Sequence, residues 1–230
     1  MRILGLIGGM TWHSTVDYYR LINEGVHERL GGSHSAELLL LSIDFEPVEE
    51  MQGRGDWAGM GRLMSEWARR LEAAGAEGLV ICTNTMHRLA AEVAGAVRIP
   101  LLHIADATAA AVKKAGLGTV GLLGTRYTME LDFYRGRLEK EHGLEVLIPE
   151  EPGRTAVHDI IYGELAFGTV HEASRLTYVA VIDELVRRGA QGIILGCTEI
   201  PLLIKEKDSP IPVFDTTALH AAAAVDFALG

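Results

Sequence analysis

A chain of 230 residues with 48 % apolar side chains can bury a sizeable core. Its net charge of −10 argues against a nucleic-acid partner, which requires a basic face. The longest apolar run, "AELLLLSIDF", is strand-sized and far short of the roughly 20 residues of a membrane span, so no membrane partner is expected.

In chain order, strands are predicted over 3–7, 37–43, 78–81, 100–103, 119–123, 144–147, 192–196 and 211–214. Helical patterns lie between them over 13–30, 57–75, 86–96, 105–115, 127–142, 155–165, 171–189 and 217–228. Continuous apolar strands such as "GLVI" and "GIIL" suit parallel sheets covered on both faces. Alternation of strand and helix predicts an α/β, doubly wound parallel-sheet fold. The segment "EEMQGRGDW", with Gln52 and Arg54, reads as a loop after the second strand, either a lid or a solvated connection.

An internal repeat divides the chain. "RRLEAAGAEGLVICTNT" at 69–85 matches "DELVRRGAQGIILGCTE" at 183–199, and "GLIGGMTWHSTVDYYR" at 5–20 matches "GLLGTRYTMELDFYR" at 121–135. "IPLLHIAD" at 99–106 resembles "IPVFDTT" at 211–217. The expectation is two similar doubly wound domains related by a pseudo-twofold axis, 1–97 plus 211–230 and 98–210, with a site between them.

Gly78 aligns with Gly192, and the register carries through without a gap. Cys82 falls opposite Gly196, Thr83 opposite Cys197, Asn84 opposite Thr198, and Thr85 opposite Glu199. Cys82 therefore reads as buried wall, while Thr83 and Cys197 occupy equivalent slots beyond strand ends, where open α/β sheets bind ligands. Free backbone N–H groups after Cys197 would favour its thiolate. A thiolate facing a hydroxyl suits proton transfer at carbon, with a base on one face and an acid on the other.

The remaining candidates serve binding. "GLIGGMT" offers a glycine turn around Met10 without the spacing of a dinucleotide fingerprint. Thr125 and Thr128 either bind a carboxylate or act as ordinary helix caps. His87, four residues after Thr83, either supports that turn or tunes the site. The five lysines, Lys113, Lys114, Lys140, Lys205 and Lys207, lie in charged stretches, so a pyridoxal cofactor is not expected. Two distant cysteines and scattered histidines predict reduced thiols in a cytoplasmic setting and no metal site.

"GLIGGM", "TNTMH" at 83–87 and "GCTEI" at 196–200 resemble the signatures of the aspartate/glutamate racemase family, over essentially the whole chain. The resemblance implies a cofactor-independent amino-acid racemase, frequently a homodimer, with two thiols on opposite sides of a small amino-acid substrate. The family's first motif usually begins with Cys, where Thr83 stands here. A subgroup with this Thr/Cys pairing acts on L-aspartate and L-glutamate. The resemblance thus implies Cys197 and Thr83 as the catalytic pair. It also implies Met10, Gln52, Asn84, Thr85, Thr125, Thr128, Thr198 and Glu199 around the substrate. Many aspartate racemases carry an Arg after the second strand and a Lys in the segment matching "YGEL", where this chain has Gln52 and Glu164-Leu165. Isomerases or decarboxylases of small diacids, or a non-catalytic binding protein on the same scaffold, are the alternatives.

Overall fold

The computed structural model describes all 230 residues. The elements run β1 (Leu4–Gly8), α1 (Trp12–Leu30), β2 (Leu38–Ser42), α2 (Glu46–Gly53), α3 (Trp57–Ala73), β3 (Gly78–Ile81), α4 (Ala90–Ala96), β4 (Leu101–Leu102) and α5 (Ile104–Lys114). They continue with β5 (Thr119–Gly124), α6 (Arg126–Glu130), α7 (Arg135–Lys140), β6 (Glu145–Leu147), α8 (Gly153–Gly163), α9 (Glu172–Arg187), β7 (Gly192–Gly196), α10 (Ile200–Leu203), β8 (Val213–Asp215) and α11 (Thr216–Leu229). The expected class is present: two four-stranded, wholly parallel sheets ordered β2-β1-β3-β4 and β6-β5-β7-β8.

The chain forms two compact units, residues 1–104 with 220–230 and residues 105–219. These bounds differ from the expected 97/98 and 210/211. β4 pairs with β3 and so holds 101–102 in the first unit, whereas β8 pairs with β7 and holds 213–215 in the second. α11 re-enters the first unit at His220, and the Arg2 amide donates to the Ala228 carbonyl at 2.8 Å.

The first unit shows why the apolar strands are continuous. Successive strand side chains point to opposite faces. Leu79 and Ile81 of β3 enter one core with Met60, Met64, Ala68 and Leu71 of α3. Val80 and the following Cys82 enter the other, with Tyr18, Ile22 and Val26 of α1 and Ala221, Ala224 and Val225 of α11. The α3 residues recur at helical spacing, and burying each large side chain contributes roughly 1.5–3 kcal/mol. Gly9, at φ +93°, is required after β1, because a Cβ there would meet the Ile43 carbonyl oxygen at 2.4 Å.

Two local readings are corrected. "EEMQGRGDW" is no open loop: α2 occupies most of it and buries Val48 and Gln52 one turn apart, with Glu49 and Glu50 outward. The helix expected over 127–142 is two, α6 and α7, since Leu131 takes extended backbone at the C-terminus of α6. The segment 85–89 winds as a 3₁₀ turn before α4.

Candidate active site

Strand pairing inside each unit yields the same equivalences as the repeat. Ile7 pairs with Ile81 and Leu123 with Leu195. Since "GLIGG" matches "GLLGT", Ile81 corresponds to Leu195, Cys82 to Gly196 and Thr83 to Cys197. Gly196 accepts no side chain: a Cβ would meet the Leu123 carbonyl oxygen at 2.8 Å. Cys82 is wholly buried in the α1/α11 core, and burial pushes its thiol far above the ordinary range. It is wall, as expected.

Thr83 is half-buried just past β3. Its amide donates to the Ile81 carbonyl at 2.9 Å, and its carbonyl lies 2.8 Å from His87 Nδ1. A carbonyl only accepts, so His87 carries its proton on Nδ1; Nε2 is then free to accept from the Ile104 amide at 3.2 Å. His87 thus supports the turn as a neutral ring. Burial first, then the neighbouring His103 and His220, holds its pKa well below the usual histidine range.

In the second unit, Cys197 follows β7 and is 8 % exposed. Its thiol donates to Glu199 Oε2 at 2.9 Å, and the Thr198 hydroxyl donates to the same oxygen at 2.7 Å. The expectation of a thiolate is overturned. Backbone N–H groups of Thr198 and Glu199 do favour it, but burial and the Glu199 carboxylate outweigh them and push the thiol pKa well above its ordinary value. The helix after this turn, α10, has four residues with a proline at its start, too short for a substantial dipole.

The expected binding residues fall into different settings. Gln52 is buried on the inner side of α2, and Asn84 and Thr85 are buried at the start of the turn after Thr83. Met10 packs in the α3 core, so only its backbone can face a ligand. The Gly9 amide beside it is already bound by the Thr15 hydroxyl at 2.8 Å. Thr125 is the N-cap of α6 and accepts from the Thr128 amide at 3.4 Å; the two hydroxyls stand 3.3 Å apart and both residues are buried. No set of three or more His, Cys, Asp or Glu side chains is arranged to hold a metal ion, and no helix is long and apolar enough to cross a membrane.

A family model described as Asp/Glu/hydantoin racemase matches residues 7–224 of this chain. The chain belongs to this racemase family. A protein from Yersinia pestis, provisionally named an Asp/Glu racemase, is 55 % identical with a TM-score of 0.96, and each chain is covered in full. An aspartate racemase homologue from Pyrococcus horikoshii OT3 is 36 % identical with a TM-score of 0.87, again over the whole of both chains. The broad specificity amino-acid racemase RacX of Bacillus subtilis (strain 168) is 23 % identical over 97 % of this chain and 96 % of its own.

This racemase carries one neighbour of the thiol that sequence reasoning missed. Tyr178 of α9 is fully buried and donates to the Val157 carbonyl at 3.1 Å. Burial raises its pKa well above the ordinary tyrosine value, and the negative charges of Cys197, Glu164 and Glu199 raise it further. A tyrosine on an apolar helical stripe carries no sequence signal beyond core packing. Glu164, in the "YGEL" segment, accepts a 2.5 Å hydrogen bond from the Ser174 hydroxyl.

Proposed function

We propose that this racemase inverts the α-carbon of an acidic amino acid, L-aspartate or L-glutamate, without a cofactor. The observation that carries the reading is the Cys197 thiol bonded to Glu199, at the position equivalent to Thr83. Cys197 begins as a thiol. Its proton passes to Glu199, and the sulfur then takes the α-proton from the L-enantiomer. The resulting planar carbanion is protonated on its other face by the Thr83 hydroxyl, which regains a proton from water. The α-proton leaves the sulfur as a thiol again, and proton balance is kept when Glu199 releases its proton to solvent, neutralising the hydroxide left when water reprotonates Thr83.

A threonine hydroxyl is a poor base, so the D-enantiomer is deprotonated much more slowly than the L-enantiomer. Substrate carboxylates are held by backbone amides and hydroxyls around Met10, Asn84-Thr85, Thr125, Thr128 and Thr198, with Gln52 as a side-chain contact. Incubation with L- and D-aspartate and glutamate in deuterated water tests this. Deuterium at Cα, faster from the L-form, is the expected outcome. Absence of exchange with both amino acids overturns the reading in favour of a binding protein.

A further inference from the structure

Three histidines from distant parts of the sequence meet behind Thr83 in the first unit. The His87 ring stands 4.7 Å from that of His103 and 5.4 Å from that of His220, both edge-on. His220 Nε2 lies 2.8 Å from the Leu102 carbonyl, and its Nδ1 lies 2.8 Å from the Tyr18 hydroxyl. Because a carbonyl only accepts, His220 carries its proton on Nε2 and takes the Tyr18 proton at Nδ1. The two buried rings are therefore fixed in opposite tautomers: Nδ1–H in His87 and Nε2–H in His220.

Their partners lie where the chain leaves and re-enters this unit. His87 holds the Ile104 amide, the last residue before the chain passes to the second unit, and His220 is the first residue after it returns. His220 also holds the Leu102 carbonyl, two residues before Ile104. We propose that His87 and His220 form a neutral imidazole clamp that positions the Thr83 turn against both chain crossings, and that protonating it releases Thr83.

A charged His87 has no lone pair for the Ile104 amide, so the Thr83 contact and the crossing contact cannot both survive protonation. The titratable groups facing His87 are His103, from the link between β4 and α5, and His220, from α11; Tyr18 of α1 stands behind His220. Each of these histidines opposes a positive charge on His87, and no carboxylate enters the set to offset one. His87 is a positioning residue in this account: it acts on Thr83 through the backbone.

The test has two arms. Long-range ¹⁵N correlation spectra of histidine-labelled full chain, assigned with His87→Gln and His220→Gln, should show Nδ1–H for His87 and Nε2–H for His220. His87 should stay uncharged below pH 6.5, the ordinary histidine value. His87 charged at neutral pH, or protonated on Nε2, overturns the clamp. The second arm rests on the racemase reading and compares deuterium exchange from the L-enantiomer with net inversion. His87→Asn keeps a donor at the Nδ1 position, whereas His87→Gln keeps only an acceptor at Nε2. His87→Gln should lower inversion relative to exchange by about 10- to 100-fold, and His87→Asn should restore the ratio. Equal loss of both activities in His87→Gln, with Asn no better, overturns a positioning role. Wild-type protein without exchange sinks the racemase reading instead and leaves the spectra to decide on the clamp.

Discussion

Replacing Glu199 by Gln separates two effects that the structure sets against each other. The carboxylate Oε2 accepts from both the Cys197 thiol and the Thr198 hydroxyl, at 2.9 and 2.7 Å. A glutamine fills the same space and its oxygen still accepts, but it carries no charge and cannot take the proton. The charge and hydrogen bond of Glu199 both raise the thiol pKa, so their weakening must populate the thiolate more readily. Turnover must nevertheless fall, because the proton acceptor is lost. General acid–base groups contribute about 10²- to 10⁴-fold, or about 3–5 kcal/mol of barrier. Deuterium incorporation into L-aspartate should fall by that factor in Glu199→Gln. The thiolate absorbance near 240 nm, read against Cys197→Ser to remove the other chromophores, should emerge at lower pH than in the wild type. An undiminished exchange rate would remove Glu199 from proton transfer, and an unchanged thiolate titration would refute the electrostatic account.

The other predictions concern both units. Cys197→Ser should abolish exchange. Cys82→Ser should keep most of it while losing about 1–3 kcal/mol of stability in urea unfolding, since a hydroxyl replaces a wholly buried thiol; inactivation by the latter change alone would refute the register. Thr83→Cys should speed deprotonation of the D-enantiomer, measured as deuterium uptake from D-aspartate, and no gain there would undo the assignment of faces. Gln52→Ala should raise KM more than it lowers kcat, because a binding contact made equally in ground and transition states acts on KM alone; unchanged kinetics would take Gln52 out of the site. His87 is held neutral in the fold, with a pKa below its unfolded value, so its contribution to stability is complete above about pH 6.5 and is lost as pH falls from there towards the depressed folded value. Urea midpoints across pH 7.5 to 5 should decline less steeply in His87→Asn than in the wild type, and parallel slopes would contradict this.

The sequence by itself determined the class of fold and the equivalence of Thr83 with Cys197. Both are one-dimensional properties: apolar runs of strand length recur between helical patterns, and the repeat carries register residue by residue, as the pairings Ile7–Ile81 and Leu123–Leu195 also do. The burial of Cys82 was legible for the same reason, because its counterpart is a glycine. Tertiary structure alone decided the state of Cys197. Backbone amides beside a strand end favour thiolate wherever they occur, but the larger influences are burial and the carboxylate of Glu199, which depend on what packs around the turn and how its side chains are aimed. Gln52 illustrates the same limit: a charged, glycine-bearing stretch reads as a loop, yet packing of Val48 and Gln52 holds it as α2. The imidazole clamp lies furthest from sequence reasoning, since Tyr18 and His220 are 202 positions apart and meet only when α11 returns to the first unit. Which nitrogen of a histidine holds the proton depends on the partners the fold brings to it, and local sequence does not contain them.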